Sequence, residues 1–242
     1  MDSIQIYLNS ANADKLNGNI SDAEYNLPPF EIPDGYHIYL SVQSVTIPYS
    51  FYNVNDSNNL LSYNLKDQSI NNVTFVNGNY NITEVVDYLT SIMIGFTITY
   101  NKITNKLTFK NTVEFYFLQE TTCFKLLGFD NNKSYQSTSL SLTSVNCVNI
   151  IAIKRINISS NFITYNINKS AANNYSILCS ISVNKPPYSL IEYTNNNNFR
   201  TDLFINYIHV IKIKLTDERE NLIDLNGNNY CMTIQLDVEK FT

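Results

Sequence analysis

Histidine and carboxylate side chains are the groups here best suited to acid–base or metal chemistry, and both are sparse. Of the two histidines, His37 lies opposite the apolar face of its predicted strand, whereas His209 lies on the apolar face of its strand. This placement predicts an exposed His37 and a buried, hydrogen-bonded His209 rather than a metal ligand or a general base. The densest carboxylate group, residues 217–220, falls in a turn between two predicted strands, where polar side chains are expected.

Sequence motifs for catalysis and cofactor binding are missing. No HExxH, GxSxG, GxGxxG or Walker sequence occurs. Residues 53–58 resemble a calcium loop only loosely, because Asn stands where Asp ligands would be needed. The separation of about 5–10 Å that a glycosidase needs between two carboxylates is a spatial criterion that sequence does not test. We therefore predict a non-enzymatic protein with no cofactor and no metal site.

The four cysteines also argue against a metal or redox centre. Cys123, Cys147, Cys179 and Cys231 are far apart, and no CxxC pair is present. Three of them lie in strand-like sequence, where cysteine is usually a small buried apolar residue. We expect free thiols and a reducing compartment.

Charge and hydropathy limit the classes of partner. The net charge is −5, only 15% of residues are charged, and the longest basic cluster is Lys154-Arg155. Binding to nucleic acid needs a stripe of Lys and Arg, so no such partner is expected. The opening sequence MDSIQIYLNS lacks the features of a signal peptide, and no apolar run is long enough to predict a membrane span.

The composition favours strands joined by polar turns. The chain contains 38 Asn, 28 Ile and 18 Tyr residues and no Trp. Ile and Tyr fit the half-buried surface of a sheet, and Asn fits turns because it tolerates a positive φ. An AT-rich genome would also enrich these residue types, so composition alone leaves two causes open.

One segment in the middle of the chain is helical. Residues 81–94 carry apolar side chains at helical spacing, with Asn81 as N-cap, Glu84 completing a capping box and Gly95 ending the helix. A hairpin with arms at 97–100 and 106–109 and a single helical turn over 123–127 follow it.

The remaining elements read as strands of a sandwich. The strand at 36–47 shifts its apolar parity near its middle, which predicts a β-bulge, and further long strands are predicted at 145–158 and 205–215. Asn226-Gly227 is the strongest hairpin-turn dipeptide of the chain. We predict a mainly β, antiparallel sandwich formed by residues 1–76 and 131–242, with residues 77–130 as an inserted α+β module.

The N-terminal segment is the first candidate for a subunit interface. Ile4, Ile6 and Leu8 share one face of a short strand, which must be buried against its own sheet or against a neighbouring copy. The arm from Asn9 to Glu24 has too few apolar residues to order itself, so we expect it to be mobile or dependent on a partner.

The second candidate is a group of aromatic residues just after Pro48. Tyr49, Phe51 and Tyr52 lie beyond the end of a predicted strand. Aromatic side chains at such a place serve either as plugs of the core or as anchors of a subunit contact. Both interpretations stay open.

Five segments, in order, are similar to those of one family. They read SVTIPYSFYNV (44–54), NGNYNITEVVDYL (77–89), YNKITNKLTF (100–109), LLGF (126–129) and the segment 213–227 before a final alternating strand. Together they resemble the single-jelly-roll penton and minor capsid proteins of giant double-stranded DNA viruses, virophages and polinton-like viruses. The resemblance spans nearly the whole chain, and its weight lies in the order and spacing of the segments.

This resemblance implies an antiparallel jelly roll built into an icosahedral virion. The implied role is a penton, a homopentamer at the fivefold vertices that contacts the major capsid protein and other minor capsid proteins, assembled in the host cytoplasm. Two alternatives remain: a minor capsid protein that cements major-capsid capsomers, and a carbohydrate-binding module for host attachment. The resemblance implies no active site, so no functional residue is transferred from the family.

Overall fold

The structure, a computed structural model, describes residues 2–66, 68–162, 176–203, 205 and 207–240. Within these residues no helix is long and apolar enough to cross a membrane. The chain divides into two units. Unit 1 comprises Met1–Phe51 and Ile153–Thr242, and unit 2 comprises Tyr52–Ala152. Unit 2 is a longer segment than the insertion that the sequence placed at 77–130.

The described residues form 17 strands and two α-helices. In order the elements are β1 (Asp2–Asn9), β2 (Lys15–Leu16), β3 (Asp22–Glu31), β4 (Tyr36–Pro48), β5 (Leu60–Leu65), β6 (Ile70–Thr74), α1 (Ile82–Ile92), β7 (Thr97–Asn101), β8 (Lys106–Lys110), β9 (Phe115–Phe117), α2 (Phe124–Leu127), β10 (Tyr135–Gln136), β11 (Ser141–Thr143), β12 (Arg155–Ser160), β13 (Ser176–Ser182), β14 (Leu190–Thr194), β15 (Thr201–Leu203), β16 (Tyr207–Thr216) and β17 (Cys231–Lys240).

Unit 1 consists of two antiparallel sheets. One has the order β1-β17-β4-β14, with β15 also paired to β4, and the other has the order β13-β12-β16-β3-β2. When the eight main strands are numbered along the chain, without β2 and β15, these orders become 1-8-3-6 and 5-4-7-2. Such an interleaved pair of four-stranded orders is the jelly-roll topology. The predicted fold class, a mainly β antiparallel jelly roll, is therefore confirmed.

The centre of the first sheet contains the predicted bulge. Ile38, Leu40 and Val42 of β4 are buried, and the buried set then shifts by one residue to Val45 and Ile47. Opposite this shift, the register with β17 slips between Thr233 and Ile234. The extra residue re-aims the second half of the strand, which keeps both apolar sets on the core side.

The arm after β1 is ordered by contacts within unit 1, contrary to the expectation of a mobile segment. It forms a 3-10 turn at Ser10–Asn12, and β2 then pairs with β3. The Ser10 amide donates to the Tyr230 carbonyl at 3.0 Å, and the Asp14 amide donates to the Glu24 carbonyl at 2.9 Å. Polar hydrogen bonds, rather than apolar burial, hold this arm.

Two further bulges decide which residues of β16 and β13 face the core. The register of β16 with β3 slips between Ile208 and Val210, so Ile208 is buried and His209 is exposed. The register of β12 with β13 slips after Ile158, so Leu178 rather than Cys179 joins the core. The prediction of a buried His209 was wrong because strand pairing, not sequence alternation, sets the face that a residue occupies.

Two further predictions about strands need correction. The strand predicted over 145–158 begins only at Arg155, because residues 145–154 run without a sheet partner. Asn226-Gly227 does form a turn in which both residues have positive φ, 48° and 79°. That turn connects strands of different sheets, β16 and β17, and therefore closes no hairpin.

Unit 2 packs one helix and two small sheets around an aromatic core. The sheets have the orders β10-β9-β5-β6 and β11-β8-β7. The predicted capping box of α1 is present: the Asn81 side chain accepts from the Glu84 amide, and the Glu84 carboxylate accepts from the Asn81 amide. The hairpin of β7 and β8 is also as predicted. The turn α2 has Cys123 as its N-cap, which makes no side-chain capping hydrogen bond, and Gly128 ends it at φ 84°.

Candidate subunit interface

Strand β1 occupies one edge of the first sheet of unit 1. It pairs along its full length with β17, and Ile4, Ile6 and Leu8 stand opposite Leu236, Ile234 and Met232. Leu8 is buried, Ile6 is partly buried and Ile4 is 36% exposed. The chain therefore buries the Leu8 end of the predicted apolar face within unit 1 and leaves the Ile4 end accessible.

The predicted aromatic loop is mostly core. Tyr49 and Phe51 are buried in unit 1, with ring centroids 4.2 Å apart and an interplanar angle of 21°. The Tyr49 amide donates to the Ser189 carbonyl and its carbonyl accepts from the Tyr188 amide, both at 2.8 Å. Burial raises the pKa of the Tyr49 hydroxyl. Tyr52, the first residue of unit 2, is partly buried. In a single copy of the chain, Tyr49 and Phe51 therefore belong to the core of unit 1.

The free edge of β1 lacks the usual protection against pairing. No charged residue and no proline occurs from Ser3 to Asn9, and β1 has one strand neighbour, β17, among the described residues. Tyr7, on the face opposite Ile4, is 75% exposed, and its hydroxyl donates to the Gln5 side chain at 2.6 Å. Edges of this kind pair readily with another chain unless charge, proline or a covering segment prevents it.

An open groove lies on the opposite flank of unit 1, where the edges of the two sheets, β13 and β14, approach each other. It has a volume of about 450 Å³. Its lining combines apolar, polar and cationic side chains: Arg155, Ile177, Leu178, Cys179, Ser180, Tyr193 and Phe199.

The walls of this groove are largely neutral. Burial raises the pKa of the Cys179 thiol to about 12, so the thiol stays protonated, and burial also raises the pKa of the Tyr193 hydroxyl. Arg155 is the charged residue of the groove lining. Its Nε donates to Ser180 Oγ at 3.1 Å, and no ion pair joins its guanidinium to a carboxylate in the described part of the chain.

The asparagine run before Phe199 has a structural use that composition alone did not reveal. The Asn195 side chain is buried, its Nδ2 donates to the Phe199 carbonyl at 2.7 Å, and its Oδ1 accepts from the Phe199 amide at 2.9 Å. The Asn195 amide donates to the Gln43 carbonyl at 2.9 Å, which ties the loop to β4. These hydrogen bonds hold Phe199 at the groove, where 52% of its surface is exposed.

Sequence reasoning missed both Tyr7 and Phe199. The available signals were the position of Tyr7 opposite the apolar face of its strand and the position of Phe199 directly after four asparagines. No cluster of three or more His, Cys, Asp or Glu residues suited to a metal ion occurs among the residues that the structure describes.

Comparison with solved structures finds a likeness to the mavirus penton protein, known from a crystal structure of its selenomethionine form. The match covers 99% of this chain and 100% of that chain, with a TM-score of 0.54 and 11% sequence identity. At this identity the likeness shows a common fold, so the predicted resemblance to single-jelly-roll penton proteins is confirmed at the level of fold. No family model and no curated protein matches the sequence.

Proposed function

We propose that the chain is a virion structural protein that forms a ring of five copies and closes the fivefold vertices of an icosahedral capsid. The observation that carries this proposal is the end-to-end likeness to a penton protein, which leaves almost no part of either chain unmatched. A fold hosts many functions, so the role must be argued from surfaces as well as from topology.

The surfaces of unit 1 support an assembling role. One flank carries the unprotected edge of β1, and the other carries an open groove with a half-exposed Phe199. Both features are typical of surfaces that another protein covers. The groove lining holds one arginine and no carboxylate or histidine, which suits recognition better than acid–base catalysis.

The vertex role and the cement role differ in copy number. A vertex protein contributes five copies to each fivefold position, whereas a cement protein lies between capsomers of the facets in much larger numbers. Imaging of purified particles should show five copies around each vertex. Density for this chain along the facets would refute the vertex role and favour the cement role, with the major capsid protein as its partner.

A second test uses the isolated protein. Native mass spectrometry of the purified chain should show a species of about 139 kDa, which is five times the 27.8 kDa of one copy. A monomer at all concentrations up to those reached in an assembling capsid would contradict self-assembly into a ring.

A further inference from the structure

We propose that the groove of one copy receives the β1 edge of the next copy, so that the ring closes through a head-to-tail contact between two different flanks. This inference rests on the proposed function, because it needs a second copy of the chain as the occupant. It goes further by assigning the two faces of the contact and the side chains that anchor them.

The topology places the two faces on opposite sides of unit 1. In the first sheet β1 and β14 are the ends of the strand order, and in the second sheet β2 and β13 are the ends. The groove joins β13 to β14, so β1 and β2 lie together on the other flank. A contact between unlike flanks is heterologous, and it generates a closed ring when the rotation between neighbouring copies closes.

The charges of the two flanks are complementary. Residues 1–34, which include β1 to β3, contain six acidic residues and one basic residue. Among them Asp22 and Glu24 are paired with Lys214 and Lys212, and an acidic excess remains. The described residues of 153–203 contain four basic and two acidic residues, and of the basic ones Arg200 is already paired with Glu239. Arg155, which lines the groove, is therefore placed to meet an acidic neighbour, and such complementarity orients the encounter.

Both flanks also carry exposed apolar side chains that could pack against each other. Tyr7 and Ile4 are exposed along β1, and Leu16 of β2 is 44% exposed on the same flank. The groove presents Phe199, which is half-exposed. An aromatic side chain such as Tyr7 buries about 150–250 Å² on entering a pocket, and anchors of this type dominate the energy of protein interfaces.

Photo-crosslinking tests the contact directly. A photoreactive phenylalanine analogue is placed at position 199, and the protein is assembled with isotope-labelled wild-type chain so that links between copies are recognised by mass. The expected product joins position 199 to the peptide of a labelled copy that ends at Lys15, which contains β1. Links between copies that reach other segments of the chain, with the ring intact, would overturn the head-to-tail contact and leave the proposed vertex role standing.

Alanine variants measure how much the two anchors contribute. Tyr7→Ala and Phe199→Ala should each weaken ring assembly by at least about 10-fold, as judged from dissociation on dilution. Tyr207→Ala is the matched control, because Tyr207 is 50% exposed on unit 1 but does not line the groove. It should assemble like wild type, and all three variants should show an unchanged unfolding transition.

The outcomes separate the two proposals. Wild-type assembly by both anchor variants would refute the groove contact alone. A wild-type chain that never forms a ring, in solution or at the vertices of particles, would refute the proposed function and this inference with it.

Discussion

The two units bury their apolar side chains in different ways. Unit 2 contains seven of the 13 phenylalanines, all buried. Six of them form a continuous set of ring contacts with centroid distances from 4.9 to 6.3 Å, and the seventh, Phe75, packs against Tyr80 and Tyr88. Unit 1 relies on long strands whose Ile, Leu and Val residues face inward, and its sheet edges and groove stay accessible.

The difference suggests that the two units contribute to different properties of the protein, namely stability and assembly. Unit 2 covers its short strands with a capped helix and local turns. Its most exposed aliphatic residues lie in turns: Ile94 just after α1, and Ile103 between β7 and β8. The accessible surfaces of unit 1 lie instead along strand edges, where a second chain can bind over several residues. We therefore expect substitutions in unit 2 to change stability and substitutions at the flanks of unit 1 to change assembly.

The strongest test of this contrast is Phe117→Ala. Phe117 is fully buried, and its ring lies 4.9 Å from that of Phe109 and 5.7 Å from that of Phe129. Removal of the ring should lower the free energy of unfolding by about 3–5 kcal/mol, measured by denaturant titration. Ile103→Ala is the control, because this side chain is 93% exposed and should change stability by less than about 0.5 kcal/mol. Equal effects of the two changes would show that the aromatic core is not the source of stability in unit 2.

Two glycines with the same backbone conformation sharpen the comparison between units. Gly128 of unit 2 has φ 84°, and an added Cβ would lie 2.5 Å from the Asn146 carbonyl oxygen. Gly227 of unit 1 has φ 79° and open space around the same position. Gly128→Ala should cost about 2–4 kcal/mol from backbone strain and overlap, and Gly227→Ala about 1–2 kcal/mol from strain alone. A larger loss of unfolding free energy at Gly227 would contradict the packing described for Gly128.

A smaller effect is expected at the start of helix α1. Asn81→Ala removes the acceptor of the Glu84 amide and should lower the free energy of unfolding by about 0.5–2 kcal/mol. Asn81→Ser preserves a capping oxygen and should restore most of the loss. A change well below about 0.3 kcal/mol for Asn81→Ala would argue that the capping box contributes little here.

Thiol labelling compares the units without perturbing them. Each unit holds one exposed cysteine, Cys147 or Cys231, and one more buried cysteine, Cys123 or Cys179. Burial raises the pKa of both buried thiols, so the exposed pair should react first and Cys123, which is completely buried, last. All four should react after denaturation without reductant. Two thiols that stay blocked until reductant is added would instead indicate a disulfide and an oxidising compartment.

Features that depend on neighbouring residues were predictable from sequence. The capping box at Asn81 and the hairpin of β7 and β8 depend on residues within a few positions of one another, and the buried apolar residues of β17 occupy every second position. The bulge of β4 was visible for the same reason, because the shift in apolar parity lies within one strand.

Features set by distant pairing were not predictable in this way. The register slip at Ile208 arises from pairing with β3, about 180 residues earlier in the sequence, and it alone moves His209 to the surface. The groove likewise needs β12 and β13 to meet β14 and Phe199 in space. The burial of Tyr49 and Phe51 likewise depends on distant pairing, because the backbone of Tyr49 bonds to Tyr188 and Ser189.

The pairing of β1 with β17 has a consequence for the order of folding during synthesis. Residues 2–9 have no strand partner until residues 231–238 have been made, whereas unit 2 is a continuous segment whose strands pair only with one another. A ribosome adding about 5–20 residues each second would expose β1 for roughly ten seconds or more before its partner emerges. We therefore expect unit 2 to acquire protease resistance on the nascent chain first, while the uncharged edge of β1 stays exposed to association with other chains until synthesis reaches β17.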